Sequence, residues 1–140
     1  PNSIEISQLT GVENILELKV EELLPKEGII IARFRNTLIL ELPYKKVEPG
    51  TTVSVGLKAS DIIFATKKPQ TSALSARNIL PGTVKTIEKT AVGYEVLIES
   101  KDGLLLNGHI TRRSLEQLNV QVGDTLWSIF KTSALFILDN

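Results

Sequence analysis

The sequence predicts an all-β protein that contains two copies of one unit. Short segments of β-branched and aliphatic residues alternate with Gly, Pro and Asn, which is typical of strands joined by tight turns. The two halves of the 140-residue chain also share residues at matching spacings, which indicates an internal repeat. Together these patterns favour strands and turns over helices.

The first predicted element is ambiguous when it is considered alone. The apolar residues between positions 12 and 24 fit either an amphipathic helix that ends before Pro25 or a strand. The matching segment in the second half, Gly82 to Glu88, is rich in β-branched residues and alternates in character. Because paired copies of a repeat share a conformation, we expect a strand in both halves.

Two hairpins follow, each made of a strand, a short turn and a strand. Their turns are Arg35 to Thr37 and Lys101 to Gly103, and the second contains the Asp-Gly pair that hairpins favour. Residues 53–57 alternate between larger apolar and small or polar side chains, as in a half-buried strand. Trp127 alternates with Ile129 and is predicted to be a core residue.

The internal repeat is visible in paired motifs. Asn14-Ile15 recurs as Asn78-Ile79, 64 residues later, and Lys58-Ala59-Ser60 recurs as Lys131-Thr132-Ser133, 73 residues later. The larger second offset means that the second copy carries extra residues. We therefore predict a first repeat at 1–70 and a second at 71–140.

The extra residues of the second copy fit the segment from Ile110 to Val120. Thr111 can cap a short helix there, with Leu115 and Leu118 on one face. The polar segment 67–71, which contains a proline, is the predicted linker between the repeats.

Composition excludes several classes of function. Sixteen basic and sixteen acidic residues give a formal charge of zero, and aromatic residues make up 5% of the chain, so a nucleic-acid binder is not expected. No cysteine and a single histidine argue against thiolate chemistry and against direct metal ligation. No apolar run approaches the roughly 18 residues that span a membrane, so no membrane insertion is expected. The start at Pro1 without any methionine predicts a fragment of a longer protein.

Three segments offer hydrogen-bond donors to an anion. Ser75, Ala76 and Arg77 form a small-residue turn with a hydroxyl, accessible backbone N–H groups and a guanidinium. Thr111 stands at the predicted start of the helix, and the segment from Lys131 to Ser133 ends a strand with an ammonium and two hydroxyls. Each segment also has a structural interpretation, as a capped turn, a helix cap and a solvated strand end. His109, two residues before Thr111, has a structural interpretation as well, as a lone histidine in a strand.

These residues carry a resemblance to a known family. Ser75-Ala76-Arg77-Asn78 with Gly82 and Val84, then Ile110-Thr111, then Val122-Gly123 and Lys131-Thr132-Ser133-Ala134, resembles the molybdenum-pterin-binding-protein (Mop, or molbindin) domain, also called the transport-associated OB (TOBE) domain. The first half resembles a divergent copy, similar to the region after the nucleotide-binding domain in the ATPase subunit of molybdate ABC importers.

The resemblance implies two tandem five-stranded OB-like barrels that bind molybdate or tungstate, with no catalytic cofactor. It implies that the oxyanion-binding residues are Ser75, Ala76, Arg77, Thr111, Lys131 and Ser133. Lys58 and Ser60 of the first copy could contribute a secondary half-site. Glu13 stands where the second copy has Arg77, and because its carboxylate would repel a dianion, a degenerate first site is expected.

The function implied is that of the C-terminal regulatory domain of an ABC importer ATPase, which senses oxyanion in the cytoplasm or at the inner face of the membrane. The implied partners are a second copy of the chain, the ATPase domain and the membrane subunits of the transporter. The sequence contains no Gly-x4-Gly-Lys-Ser/Thr phosphate loop, so this chain is not expected to be an enzyme. Two alternatives are a free-standing dimolbindin that stores molybdate and a structural accessory domain of another ABC importer ATPase.

Overall fold

The computed structural model describes residues 14–138. Their contacts divide the chain into two compact units. Unit 1 comprises Pro1–Lys58 together with Lys131–Asn140, and unit 2 comprises Ala59–Phe130. Each unit contains one five-stranded antiparallel sheet. The prediction of an all-β fold with two five-stranded units is therefore confirmed.

Strands dominate the described residues. They are β1 (Asn14–Leu24), β2 (Ile29–Phe34), β3 (Leu38–Pro43), β4 (Thr52–Leu57), β5 (Ile63–Ala65), β6 (Asn78–Thr90), β7 (Gly93–Glu99), β8 (Leu105–Ile110), β9 (Thr125–Phe130) and β10 (Leu135–Leu138). The 3-10 turns are η1 (Pro25–Glu27), η2 (Ala59–Asp61), η3 (Thr71–Ala73) and η4 (Thr132–Ala134). The predicted short helix is present as α1 (Arg112–Leu118). Within residues 14–138, no helix has the length and apolar character needed to cross a membrane.

The two sheets exchange their last strands. In unit 1 the strand order is β10-β4-β1-β2-β3, and in unit 2 it is β5-β9-β6-β7-β8. β5 follows β4 in the chain but pairs with β9, and β10 follows β9 but pairs with β4. The compact units therefore differ from the predicted repeats at 1–70 and 71–140, because residues 59–70 belong to unit 2 and residues 131–140 belong to unit 1.

Alternating apolar side chains form the core of each unit. β1 and β6 share the burial pattern in which every second residue of the first half of the strand is buried. Each strand begins with a buried asparagine: Asn14 is 5% exposed and Asn78 is 3% exposed. The strand that the alternation at residues 53–57 predicts is present as β4. The choice of strand over helix for the first element is confirmed for residues 14–24.

Trp127 departs from its predicted place in the core. Its side chain is half-buried, and the ammonium of Lys68 lies 5.7 Å from the centre of its ring. Ile129, by contrast, is 4% exposed. Leu126 and Ser128, on either side of Trp127 in β9, are fully buried, so strand alternation turns the Trp127 side chain to the opposite face, where its ring lies near the ammonium of Lys68.

The long first strand of each sheet bends at an equivalent bulge, and each bulge residue carries an ion pair. Glu21 in β1 accepts two hydrogen bonds from Arg33, at 2.9 and 3.0 Å, and these bonds hold the pKa of Glu21 below its ordinary value. In unit 2 the polarity is reversed, since Lys85 lies 3.6 Å from Glu99. Both copies therefore have an ion pair at the bulge. The bulge residue is the acidic partner in unit 1 and the basic partner in unit 2.

Both predicted hairpin turns are confirmed. Arg35, in the turn between β2 and β3, has a φ of 54°, and Gly103, between β7 and β8, has a φ of 87°. The second turn is also held by the Ser100 hydroxyl, which accepts a hydrogen bond from the backbone N–H of Leu104 at 3.1 Å. The segment from Leu9 to Glu13, on which the expectation of a degenerate first site depends, lies outside the described residues.

Candidate functional site

The turn before β6 contains the first group of predicted site residues. η3 ends at Ala73, and the chain then runs without regular structure through Ser75, Ala76 and Arg77 to the start of β6 at Asn78. Ser75 and Arg77 are exposed, whereas the Ala76 side chain is buried at 6% exposure. The buried methyl group fixes the path of this turn, so that the residues on either side of it project into solvent.

The guanidinium of Arg77 is anchored to the turn. Its Nη2 donates to the backbone carbonyl of Thr71 at 2.7 Å and also to the carbonyl of Leu74. An arginine has five N–H donors in a rigid planar group, so donors remain for a ligand after these two bonds are made. Arg77 is therefore a positioned cation rather than a mobile surface side chain.

Backbone donors accompany this cation. The N–H groups of Ala73 and Leu74 donate to the carbonyls of Gln70 and Thr71 and so close the 3-10 turn. Within residues 14–138, the backbone N–H groups of Ser75, Ala76 and Arg77 make no such bond to a backbone carbonyl. These three N–H groups are therefore candidate donors to a bound anion.

Thr111 caps helix α1, as predicted. Its hydroxyl accepts a hydrogen bond from the backbone N–H of Ser114 at 3.1 Å and donates to the Ser114 hydroxyl at 3.1 Å. The hydroxyl hydrogen of Thr111 is thus committed within the chain. Ser114 keeps its own hydroxyl hydrogen for another acceptor, and sequence reasoning missed this residue, although its position three residues after a capping threonine was a usable signal.

Thr111 and Ser114 line a groove of about 410 Å³ in unit 2. The groove lies beside the start of α1, the end of β8 and the η2–β5 segment. Its lining residues are Ile62, Ile63, Phe64, His109, Ile110, Thr111, Ser114, Gln117 and Leu118. None of Ser75, Ala76 and Arg77 is among them, so the structure does not join the predicted turn and the predicted cap in this groove.

The strand exchange separates the remaining predicted residues. Lys131 and Ser133, together with η4, belong to unit 1, whereas Ser75, Ala76, Arg77 and Thr111 belong to unit 2. Lys131 and Ser133 are both exposed. Between them, Thr132 donates from its hydroxyl to the carboxylate of Glu41 at 3.2 Å, which ties η4 to β3.

The predicted half-site of the first copy is divided in the same way. Lys58 lies at the end of β4 in unit 1, and Ser60 lies in η2 in unit 2. Both side chains are exposed. In each copy, a lysine that follows a strand is succeeded by a 3-10 turn containing a serine, so the structure confirms the equivalence of these two segments.

No cation site of the usual kind is evident in the part of the chain that the structure describes. Among residues 14–138, no group of three or more His, Asp or Glu side chains is arranged to hold a metal ion. The donors described above are hydroxyl, N–H and guanidinium groups, which bind oxygen atoms of anions.

Comparisons with known proteins agree with this chemistry. The TOBE domain family matches residues 74–137. The molybdate/tungstate import ATP-binding protein WtpC of Pyrococcus horikoshii is 30% identical over 137 residues, which cover 98% of this chain and 35% of that protein. The molybdenum import ATP-binding protein ModC of Rhizobium etli is 34% identical over 97 residues, which cover 69% of this chain and 26% of that protein.

A solved structure resembles almost the whole chain. It is the cytoplasmic molybdate-binding protein ModG with molybdate bound, which has a TM-score of 0.75 and 25% sequence identity. The match covers 90% of this chain and 95% of ModG. The chain thus spans nearly all of ModG but only about a third of WtpC and a quarter of ModC.

Proposed function

Residues 74–137 are a TOBE domain, and on that premise we propose that this chain binds molybdate or tungstate and does not itself catalyse a reaction. The oxyanion is the ligand, held through its oxygen atoms by hydrogen bonds. The anchoring of Arg77 carries this proposal, because two backbone carbonyls hold its guanidinium at the exposed turn that also contains the Ser75 hydroxyl.

The chemistry of this turn fits a tetrahedral dianion. A guanidinium supplies two parallel donors and a full positive charge, and charged hydrogen bonds contribute roughly 1.5–3 kcal/mol each. The Ser75 hydroxyl and the turn N–H groups add neutral donors without the cost of ordering long side chains. The names of the relatives, which refer to molybdate, molybdenum and tungstate, support this class of anion over others.

Lys131 and Ser133 complete the proposed donor set together with the start of α1, where Thr111 is hydrogen-bonded to Ser114 and the Ser114 hydroxyl keeps a hydrogen to donate. We propose that these donors come together when two copies of the chain associate, as a homodimer with the anion at the interface. Lys58 and Ser60, at the equivalent positions of the first copy, would form a secondary half-site. No nucleic acid and no direct insertion into a membrane is part of this function.

Calorimetry tests the anion specificity. Molybdate, tungstate and sulfate are all tetrahedral dianions, so charge alone does not separate them and fixed donor spacing must. We expect tight binding of molybdate or tungstate and binding of sulfate at least about a hundredfold weaker, which corresponds to about 2.7 kcal/mol. Equal affinity for sulfate at the same ionic strength would contradict the specificity.

For the biological role, we propose a C-terminal regulatory domain of an ABC importer ATPase that senses oxyanion in the cytoplasm. Bound oxyanion would favour one arrangement of the ATPase and the membrane subunits by binding it more tightly. A hundredfold difference in affinity would supply about 2.7 kcal/mol of bias. Similarity along 98% of this chain to part of an import ATP-binding protein supports this role.

A free-standing molybdate-storage protein is the second candidate, and the match to 95% of the cytoplasmic protein ModG favours it. The DNA that precedes the codon for Pro1 distinguishes the two. A reading frame that continues upstream and encodes a Gly-x4-Gly-Lys-Ser/Thr phosphate loop would support the regulatory domain. A start codon directly before Pro1 would support the storage protein.

A further inference from the structure

Each copy of the repeat begins its long strand with a buried asparagine. Asn14 is the first residue of β1 and Asn78 is the first residue of β6, and neither is more than 5% exposed. In the two sheets, Asn14 pairs with Leu57, the last residue of β4, and Asn78 pairs with Phe130, the last residue of β9. The two asparagines therefore occupy equivalent places at the ends of paired strands.

In the first copy, the asparagine side chain adds a hydrogen bond to the end of the sheet. The Nδ2 group of Asn14 donates to the backbone carbonyl of Leu57 at 3.2 Å. A primary amide loses its bonds to water when it is buried, so its burial costs free energy unless it is hydrogen-bonded within the protein. This bond joins the start of β1 to the end of β4.

The same requirement applies to Asn78 in the second copy. Asn78 is 3% exposed and is not left without a partner. Its register partner Phe130 stands to it as Leu57 stands to Asn14, so the carbonyl of Phe130 is the equivalent acceptor. Arg77 directly precedes Asn78 in the chain, so whatever holds Asn78 also holds one end of the turn that contains Arg77.

We propose that Asn78 is a positioning residue of the oxyanion site, whose side-chain amide donates to the carbonyl of Phe130 and so fixes the Ser75 to Arg77 turn on the sheet. This inference rests on the proposed function. Asn78 acts through the turn and not on the anion, because its own side chain is buried whereas Ser75 and Arg77 are exposed.

The turn would then be held at both of its ends. On the η3 side, the guanidinium of Arg77 donates to the carbonyls of Thr71 and Leu74. On the sheet side, the amide of Asn78 prevents the first pair of β6 and β9 from opening, as the ends of paired strands otherwise do. Donors that are already ordered do not have to be ordered when the anion binds, so both the affinity and the selectivity depend on this anchor.

Calorimetry with molybdate and with sulfate, at equal ionic strength, tests the positioning role. Asn78→Leu keeps a side chain of similar size but removes the amide, or Asn78→Ser serves if that variant does not fold. Molybdate binding is expected to weaken about tenfold and sulfate binding to change little, so the selectivity falls about tenfold. A general loss of stability would not change this ratio.

Asn14→Leu is the matched control, because it removes the equivalent bond from the copy in which a degenerate site is expected. It is expected to lower the midpoint of thermal unfolding about as much as Asn78→Leu does. Its affinities for molybdate and sulfate are expected to stay within about twofold of those of the unmodified chain, since the change is remote from the turn.

Nuclear magnetic resonance of the unmodified chain tests the hydrogen bond without any variant. A scalar coupling across the bond is expected between Nδ2 of Asn78 and the carbonyl carbon of Phe130. The bond from Asn14 to Leu57 provides the positive control in the same spectrum. A coupling at Asn14 with none at Asn78 would overturn the proposed bond.

The outcomes separate this inference from the proposed function. If the unmodified chain binds molybdate and the Asn78 variant has the same affinity and selectivity, the positioning role is wrong and oxyanion binding stands. Equal losses of affinity in Asn78→Leu and Asn14→Leu would also overturn the role, because the loss would then follow the stability of the fold. If the unmodified chain binds neither molybdate nor tungstate, both proposals are wrong.

Discussion

At the scale of single residues, one arginine has a structural role and a proposed binding role. Arg77 closes the turn between η3 and β6 by donating to the carbonyls of Thr71 and Leu74. The same guanidinium is proposed to supply charge to an oxyanion. A lysine has a single ammonium on a flexible stem and cannot reproduce this planar bridge.

Arg77→Ala is expected to weaken molybdate binding by about one to two orders of magnitude, since charged hydrogen bonds contribute roughly 1.5–3 kcal/mol. Arg77→Lys is expected to recover only part of this loss, because it keeps the charge but loses the bridge to the turn. Calorimetry measures both, and Arg113→Ala, which removes an exposed arginine from α1, serves as the control. If a folded Arg77→Ala variant binds molybdate as tightly as the unmodified chain, Arg77 is not part of the binding site.

Gly108 shows a different residue-scale constraint. A Cβ added at Gly108 would lie 2.2 Å from Cζ of Phe64, so the ring from β5 occupies the space that a side chain on β8 would need. Gly108→Ala is expected to reduce the free energy of unfolding by about 1–3 kcal/mol because of this overpacking.

The double variant tests the cause of that loss. Phe64→Leu removes the clashing atom, so Gly108→Ala is expected to cost less in the Phe64→Leu background than alone. Denaturant unfolding of the two single variants and the double variant measures the coupling. Additive costs would show that the ring of Phe64 is not what excludes a side chain at Gly108.

At the scale of elements, the exchanged strands determine which parts of the chain depend on each other. β10 covers the outer edge of β4, with Leu135 paired with Leu57, and Leu135 is 2% exposed. β5 plays the equivalent part beside β9. The sheet of unit 1 therefore depends on β10, which comes after all the strands of unit 2 in the sequence. The sheet of unit 2 depends on β5, which comes directly after the strands of unit 1.

Ending the chain at Lys131 removes β10 and is expected to destabilise unit 1. Loss of one buried leucine alone costs about 2–5 kcal/mol, and β4 also loses its backbone partners. Hydrogen exchange should therefore accelerate at the amides of β4 that face β10, such as those of Ser54 and Gly56, since the carbonyls of Thr51 and Leu57 show that the odd-numbered residues of β4 face β1. If β10 instead belonged to its own sequence copy, the loss would fall on β9. A chain that ends at Asp139 is the control.

At the scale of the whole molecule, the proposed donors are divided between the two units. Ser75, Ala76, Arg77 and Thr111 lie in unit 2, and Lys131 and Ser133 lie in unit 1. The groove that Thr111 lines excludes the Ser75 to Arg77 turn. The proposed homodimer would have to bring these donors together.

Molybdate is therefore expected to strengthen dimerisation and to stabilise the fold together. A ligand that binds only the assembled, folded form stabilises it by about 2.7 kcal/mol at a free concentration of a hundred times its dissociation constant. Sedimentation across a dilution series, with molybdate and with sulfate, measures the assembly, and thermal unfolding in the same buffers measures the stability. A monomer that binds molybdate with the same affinity at every protein concentration would contradict an interface site.

The local features of this protein follow from its sequence because they depend on short-range chemistry. Alternation in residues 53–57 predicts β4, the turn residues around Arg35 and Gly103 predict both hairpins, and Thr111 predicts the start of α1. The repeat resolves the ambiguity of β1. The Ser75 to Arg77 turn is identifiable for the same reason, since its small residues and its arginine are adjacent in the chain.

Only the tertiary structure decides which strand completes which sheet. Antiparallel pairing satisfies the same backbone hydrogen bonds whether the edge strand comes from the same sequence copy or the other, so nothing in β5 or β10 alone specifies the exchange. The anchoring of Arg77 to two carbonyls and the commitment of the Thr111 hydroxyl to Ser114 are likewise consequences of packing. Residue types predict that these groups can donate, and the fold determines which donors remain available.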